Sequence, residues 1–228
     1  MELNKIKIGF ALTGSFCTFK KTIPKIQELI NKGAEVIPIM SYNSYKLDTK
    51  FGKAQEFIDK LKEITGKEII HTIQGAEPIG PKKLTDIMII APCSGNTMSK
   101  LAVDIIDTPV TMAAKSHLRN DRPLIIAPST NNGLSGNAEN MGKLLNRRNY
   151  YFVPFRQDNP ITKPRSIVFD ENYLIKTIEF ALEGEQISPI LLWYISCKYM
   201  FFVLSFIWKN IFKGSLLWVK TNIMKLKF

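Results

Sequence analysis

One short segment, residues 86–97 with the sequence DIMIIAPCSGNT, constrains the fold of this chain more than any other part of it. Its apolar run from Ile87 to Ile90 is typical of a strand that is buried on both faces of a sheet. Pro92 is predicted to end the strand, and the polar residues 94–97 to begin a helix. Free backbone N–H groups at a helix start attract anions. The segment therefore predicts either a ligand-binding turn at the carboxyl edge of an open α/β sheet or an ordinary capped helix.

The composition suits one domain of ordinary size, since the chain has 228 residues and 45% of them are hydrophobic. The net charge of +11 is concentrated near the C-terminus, where residues 193–228 contain six lysines and no acidic residue. Residues 1–192 therefore carry a charge of only +5, without an arginine-rich run, which argues against nucleic-acid binding. Three irregularly spaced cysteines fit neither a disulfide framework nor a zinc site. With no signal-peptide pattern, we expect a cytoplasmic protein without a metal.

Strand and helix patterns alternate along the chain. Strands are predicted at residues 7–12, 35–40, 87–91, 123–128 and 151–155, with a short one at 69–73. Helices are predicted at residues 20–32, 53–65, 97–105, 138–147 and 174–182, while 109–114 fits a strand or a helix start. Pro38 favours either a position of its strand near the sheet edge or a local irregularity. The alternation predicts a doubly wound, mostly parallel sheet of the Rossmann or flavodoxin type, with helices on both faces, over residues 1–192.

Three polar turns follow predicted strands and should meet at the same carboxyl edge of the sheet. They are Gly14-Ser15, Ser41 and residues 94–97. Gly14 would let the backbone approach a ligand closely, and Ser15 offers a hydroxyl and an N–H group. The dinucleotide pattern GxGxxG is absent. Separate short loops around one phosphate fit a mononucleotide better.

The block APCSGNTMSKLA, together with Gly-Ser after the first strand, resembles a flavin-binding family that includes the homo-oligomeric, flavin-containing cysteine decarboxylases. That family carries AP-x-[ST]-A-N-T-x-x-K-[IL]-A and binds flavin mononucleotide (FMN) between subunits. The resemblance implies a homo-oligomer whose flavin contacts are Gly14, Ser15, Ser41, Ser94, Asn96 and Thr97. It also implies that Asn131 binds a substrate carboxylate, because residues 129–131 occupy the place of the family's Pro-Ala-Met-Asn loop.

A closer resemblance, from about residue 5 to residue 192, is to the family of dipicolinate synthase B subunits. It is carried by EPIGPKKLTDIMIIAPCSGNTMSKLAVDIIDTPVTMAAKSHLRNDRPLIIAPSTNNGL and by NYYFVPFRQDNPITKPRSIV. The resemblance implies an oxidoreductase subunit that acts with an A subunit, which carries NAD(P). The pair would make dipicolinic acid from a dihydrodipicolinate-pathway intermediate in the mother cell of a sporulating bacterium.

The decarboxylases have a histidine shortly upstream of the strand that leads into the flavin loop, and residues 80–84 (GPKKL) contain none. This departure argues against decarboxylation, and no catalytic residue is assigned. His71 and His117 are more typical of surface or packing histidines. Lys115, Arg119 and Arg165 are candidate cations for a dicarboxylate, although solvated surface positions have the same pattern. Two alternatives stay open: another FMN-dependent decarboxylase-like or prenyltransferase-like flavoprotein, and a non-catalytic partner that stabilises the A subunit.

The C-terminal extension, residues 193–228, has a different composition of aromatic and aliphatic residues and lysines. Its uninterrupted apolar run, residues 199–208, is about half of the ~20 residues that span a bilayer. A basic, aromatic helix at a membrane surface is one interpretation. The other, which we favour, is a tail without selected function, such as translation beyond the usual stop, because the family pattern is complete without it.

Overall fold

The computed structural model describes residues 3–193, which form a mostly parallel sheet with helices on both faces. The strands are β1 (Lys7–Leu12), β2 (Glu35–Met40), β3 (Ile87–Cys93), β4 (Leu124–Thr130), β5 (Tyr150–Phe152), β6 (Phe155–Asn159) and β7 (Lys163–Phe169). The helices are α1 (Phe19–Asn31), α2 (Tyr42–Lys46), α3 (Ala54–Thr65), α4 (Ile73–Ala76), α5 (Gly95–Ala102), α6 (Pro109–Leu118), α7 (Ala138–Leu145) and α8 (Leu174–Leu182). The predicted fold class is therefore confirmed.

The strand order is β2-β1-β3-β4-β7-β6, and β5 also pairs with β4. The first half of β4 pairs in parallel with β5, and its last residues, Ser129 and Thr130, pair antiparallel with β7. Strand β3 is buried along its whole length, as expected for a central strand with helices on both faces. Strand β2 lies at the end of the order, as Pro38 predicted, since a proline has no N–H group for a second neighbour.

Two predictions around the central strands were wrong. Strand β3 does not stop at Pro92 but continues to Cys93, which pairs with Pro128 of β4 after a register shift. Residues 69–73 do not form a strand: only Ile70 bridges to β2, and Ile73 already begins α4. Residues 109–114 belong to a helix, because Thr108 caps α6 and proline is favoured in a first helical turn.

The antiparallel hairpin β6–β7 was not predicted. Its first strand, FRQDN, is half-buried and polar, so it lacks the apolar alternation that identifies strands in a sequence. The compact unit extends to Leu192, whose backbone N–H donates to the Phe155 carbonyl at 2.8 Å. Beyond Trp193 the extension lies outside the described residues, so the domain boundary and the interpretation of the tail stay predictions. No helix among the described residues is long and apolar enough to cross a membrane.

Candidate functional site

A cleft of about 670 Å³ lies at the carboxyl ends of β1, β3 and β4, with the β6–β7 hairpin on one side. Its lining residues include Gly14, Ser15, Phe16, Cys17, Lys21, Phe51, Ser94, Gly95, Asn96, Ser129, Thr130, Asn131, Asn132, Arg156, Asp158 and Lys163. The volume is within the usual range for cofactor pockets, about 300–1,000 Å³. The edge of the sheet that the sequence predicted as a binding edge therefore carries a cleft.

Thr13 joins the two loops on the floor of this region. Its hydroxyl donates to the Pro92 carbonyl at 2.7 Å and accepts from the Ser94 backbone N–H at 2.8 Å. The side chain is fully buried. Sequence reasoning missed Thr13, although a polar residue at the end of a buried strand, directly before Gly-Ser, was a usable signal. The contact fixes the turn after β1 against the turn after β3.

The start of α5 presents backbone donors to the cleft. The Ser94 hydroxyl caps the helix by accepting from the Thr97 N–H at 3.4 Å, and the Ser94 carbonyl accepts from the Met98 N–H at 2.9 Å. The first N–H groups of the helix, on Gly95 and Asn96, have no intrahelical acceptor. Asn96 lines the cleft, whereas the Thr97 hydroxyl is bonded to Ser94 and is not part of the lining.

The other two predicted flavin turns differ from each other. Gly14 and Ser15 line the cleft, but Ser15 uses its donors within the protein: its hydroxyl donates to the Ser129 carbonyl at 2.6 Å and its N–H to the Thr13 carbonyl at 2.7 Å. Ser41 does not line the cleft. Its hydroxyl accepts from the Ser44 N–H at 3.3 Å and caps α2, so its role in this structure is to begin that helix.

The predicted carboxylate-binding residues are divided between two places. Asn131 lines the cleft. Lys115 lies on α6 and lines a separate cavity of about 270 Å³. Arg119 follows α6 and packs against Gly80, and Arg165 is not part of the cleft lining either. The structure therefore does not bring Lys115 and Arg119 to Asn131, because α6 returns the chain along the sheet away from the carboxyl edge.

Three cations that were not predicted lie at the cleft, and each is paired with a carboxylate. Lys21 lies 3.2 Å from Glu171, and the Lys163 ammonium lies 2.5 Å from Asp158. Arg156 contacts Asp170 at 2.5 Å. Burial alone would raise the pKa of the Asp170 carboxyl, but hydrogen bonds from the Asn172 backbone and from Arg156 lower it below its usual value. Asp170 is therefore ionised near neutral pH.

Neither histidine of the chain lines the cleft. His117 is buried, its ring nitrogens lying 2.8 Å from the Thr85 hydroxyl and 2.9 Å from the Pro123 carbonyl, and burial lowers its pKa to about 4. His71 stacks on Tyr45 with ring centroids 3.9 Å apart. Cys93 is fully buried, and burial raises the pKa of its thiol, so it is not a thiolate. Among residues 3–193, no group of three or more His, Cys, Asp or Glu residues could hold a metal ion.

The cleft fits a phosphorylated, planar cofactor. Helix-start N–H groups at Gly95 and Asn96 are the donors that phosphate groups prefer, and Gly14 leaves room for a close approach of the backbone. Two aromatic rings, Phe16 and Phe51, add apolar surface to the same lining. This combination of a parallel sheet, a polar edge and a mononucleotide-sized cleft defines an α/β nucleotide- or flavin-binding protein.

Comparison with known proteins identifies the class. The family model described as Flavoprotein matches residues 1–172, so the chain belongs to the flavoprotein family. The B subunit of dipicolinate synthase from Bacillus subtilis strain 168 is 47% identical over 185 residues, which cover 81% of this chain and 92% of that protein. The crystal structure of the dipicolinate synthase B subunit from Bacillus halodurans C is 42% identical, with a TM-score of 0.79 over 86% of this chain and 100% of the other.

A more distant relative shares the fold alone. The FMN-dependent cysteine decarboxylase SpaF is 17% identical, with a TM-score of 0.60 over 79% of this chain and 97% of that chain. All three proteins match this chain over nearly their whole length, but the two B subunits do so at a much higher sequence identity than the decarboxylase.

Proposed function

We propose that this chain is the flavoprotein-like B subunit of a dipicolinate synthase. It acts with an A subunit that carries NAD(P), and the two make dipicolinic acid from a cyclic dicarboxylate of the dihydrodipicolinate pathway. Its place is the cytoplasm of the mother cell of a sporulating bacterium. The observation that carries the proposal is the 47% identity to a B subunit over 92% of that protein's length.

FMN is the proposed cofactor, bound in the cleft by a homo-oligomer. The phosphate would be held by the N–H groups at the start of α5 and by the Asn96 side chain, and Gly14 would leave room for it beside the turn that the hydrogen bonds of Ser15 hold in place. Ser94 and Thr97 support this loop through the helix cap, and Ser41 supports the neighbouring turn. When bound, the flavin would supply an acceptor for hydride equivalents, which no protein side chain provides.

The chain's own residues would bind and orient the substrate rather than transfer hydride. Asn131 supplies an amide for a carboxylate, and the cleft cations Arg156 and Lys163 supply positive charge next to their partner carboxylates. A histidine that could exchange a proton with a ligand is lacking in the cleft, because His71 and His117 lie elsewhere. This argues against decarboxylation, as does the absence from residues 80–84 of the histidine that the decarboxylases carry there.

The phosphate assignment is tested with Ser15→Asp. The new carboxylate lies beside the proposed phosphate, and an unpaired like charge should weaken FMN binding by at least ~10-fold. The control is Gln27→Glu, which adds the same charge on the exposed face of α1. Titration of the flavin fluorescence should give wild-type affinity for the control only. Equal FMN affinity in all three proteins would show that the phosphate does not bind at this turn. The wild type should also bind FMN more tightly than flavin adenine dinucleotide.

The need for a partner is tested by an assay of the isolated chain. With substrate and free nicotinamide cofactor but no A subunit, it should form no dipicolinate, because the GxGxxG pattern of dinucleotide sites is absent from its sequence. Turnover by this chain alone at a rate comparable to that of the mixture would refute the two-subunit proposal.

A further inference from the structure

We propose that Asn132, which follows the proposed carboxylate-binding residue Asn131, is a pre-oriented hydrogen-bond donor of the cleft. Its side-chain amide would bind a carboxylate oxygen of the substrate. This rests on the proposed function, since it assumes a dicarboxylate in the cleft. Asn132 lines the cleft and lies in the turn between β4 and α7. The two orientations of an amide side chain present opposite chemistry to a ligand, so the surroundings of Asn132 decide what it can bind.

The oxygen of the Asn132 amide is fully used inside the protein. Asn132 Oδ1 accepts from the Thr130 hydroxyl at 2.6 Å and from Asn137 Nδ2 at 2.8 Å. These two bonds occupy both lone pairs of the oxygen. Asn132 Nδ2 makes no hydrogen bond within residues 3–193, so its two N–H groups are available to bind a ligand.

The orientation of Asn132 is supported by a second amide behind it. Asn137 is buried, and its Oδ1 accepts from the Ser99 hydroxyl at 2.8 Å and from Asn140 Nδ2 at 3.2 Å. Rotating the Asn137 amide would set its nitrogen against Asn140 Nδ2 and its oxygen against Asn132 Oδ1. With Asn132 and Asn140 in their present orientations both contacts would be repulsive, so the network favours the orientation that leaves the Asn132 nitrogen free.

The glycine at the start of α5 belongs to the same arrangement. A Cβ atom on Gly95 would lie 2.5 Å from Thr130 Oγ1, 2.6 Å from Asn137 Nδ2 and 2.7 Å from Asn132 Oδ1. The flavin-family pattern has alanine at this position. The absence of a Cβ atom at Gly95 leaves the space in which the three polar atoms meet. A larger residue at this position would displace the hydrogen-bond network.

A carboxylate is the ligand group that this geometry fits. Asn132 follows Asn131 directly, so two amide side chains line the cleft at the end of β4, and Asn132 lies beside Gly95 at the start of α5. Amide N–H groups bind anionic oxygens through charge-assisted hydrogen bonds, which are stronger than neutral ones. The pre-orientation by Thr130 and Asn137 removes part of the entropic cost of binding.

The test uses the full chain saturated with FMN and titrated calorimetrically with pyridine-2,6-dicarboxylate and, separately, with the neutral pyridine-2,6-dicarboxamide. Asn132→Asp retains an oxygen for Thr130 and Asn137 but replaces the free donor by a charged acceptor. In protein that is kept saturated with FMN, dicarboxylate affinity should fall at least ~10-fold while dicarboxamide affinity changes little. Ala138→Asp is the control, because it adds the same charge at an exposed position outside the cleft lining.

Asn132→Ala removes the donor without adding charge and should also lower the dicarboxylate affinity by about 10-fold. It provides a second test if the aspartate variant does not fold. Three results would overturn the proposal: an equal loss of affinity for both pyridine ligands, a loss of FMN binding only, or unchanged affinity of both variants for the dicarboxylate. Pyridine-2,6-dicarboxylate is the proposed product, so failure of the FMN-bound wild type to bind it would count against the proposed function itself, and this outcome is distinct from a loss seen only in the Asn132 variants.

Discussion

Replacing Thr13 by valine should separate the two loops that form the phosphate side of the cleft. Valine has nearly the same shape, so the change removes the hydroxyl without opening a cavity. It leaves the Pro92 carbonyl and the Ser94 N–H without the partner that now lies 2.7 Å and 2.8 Å away. An unsatisfied buried polar group costs about 1–3 kcal/mol, and Ser94 is only partly buried. We therefore expect a loss of about 2–4 kcal/mol in the free energy of unfolding.

Urea unfolding followed by circular dichroism measures this loss, with Thr13→Ser as the matched control. Serine keeps the hydroxyl and loses one methyl group, which should cost only about 1 kcal/mol. FMN affinity should fall in the valine variant and stay near that of the wild type in the serine variant. If the two variants unfold at the same urea concentration, the hydroxyl does not join the loops and this account of the cleft floor is wrong.

Three further predictions concern the rest of the fold. Gly95→Ala should destabilise the protein and weaken ligand binding, since its Cβ would lie 2.5 Å from Thr130 Oγ1; unchanged melting and binding would contradict this. Because the pKa of His117 is lowered from 6.5 to about 4, its neutral form stabilises the fold fully above pH 6.5, and roughly 3 kcal/mol should be lost as the pH falls to 4. His117→Gln should flatten that pH dependence of the unfolding free energy. Deleting residues 193–228 should leave the melting temperature within a few degrees and improve solubility; unfolding of the truncated chain would refute the domain boundary.

The sequence predicted the parallel part of the fold well, because buried parallel strands have a strong local signal. The apolar run around Ile87 is too short and too well bounded for a helix, and β1 and α8 have the predicted bounds. The hairpin β6–β7 was missed because its first strand is polar and lacks the apolar alternation that identifies strands in a sequence. In the segment 69–73, which was predicted as a strand, only Ile70 pairs with a strand, and Thr72 caps helix α4.

The candidate site was predictable at the backbone level and less so at the side-chain level. Strand ends and helix starts located Gly14, Ser15 and Asn96 at one edge, since that follows from topology. Whether a polar side chain faces a ligand or caps a helix depends on tertiary contacts, which is why Ser41 and Thr97 lie in caps. The cleft cations of the hairpin could not be found before the hairpin itself was known.

The most direct measurement of the central claim is dipicolinate formation by the A subunit with and without this chain. The two proteins are co-expressed and purified, and dipicolinate is quantified after incubation with the substrate and a nicotinamide cofactor. We expect a flavin-coloured protein, dipicolinate from the pair, and little or no dipicolinate from either protein alone. Full activity of the A subunit without this chain, or of the pair after quantitative removal of flavin, would contradict it.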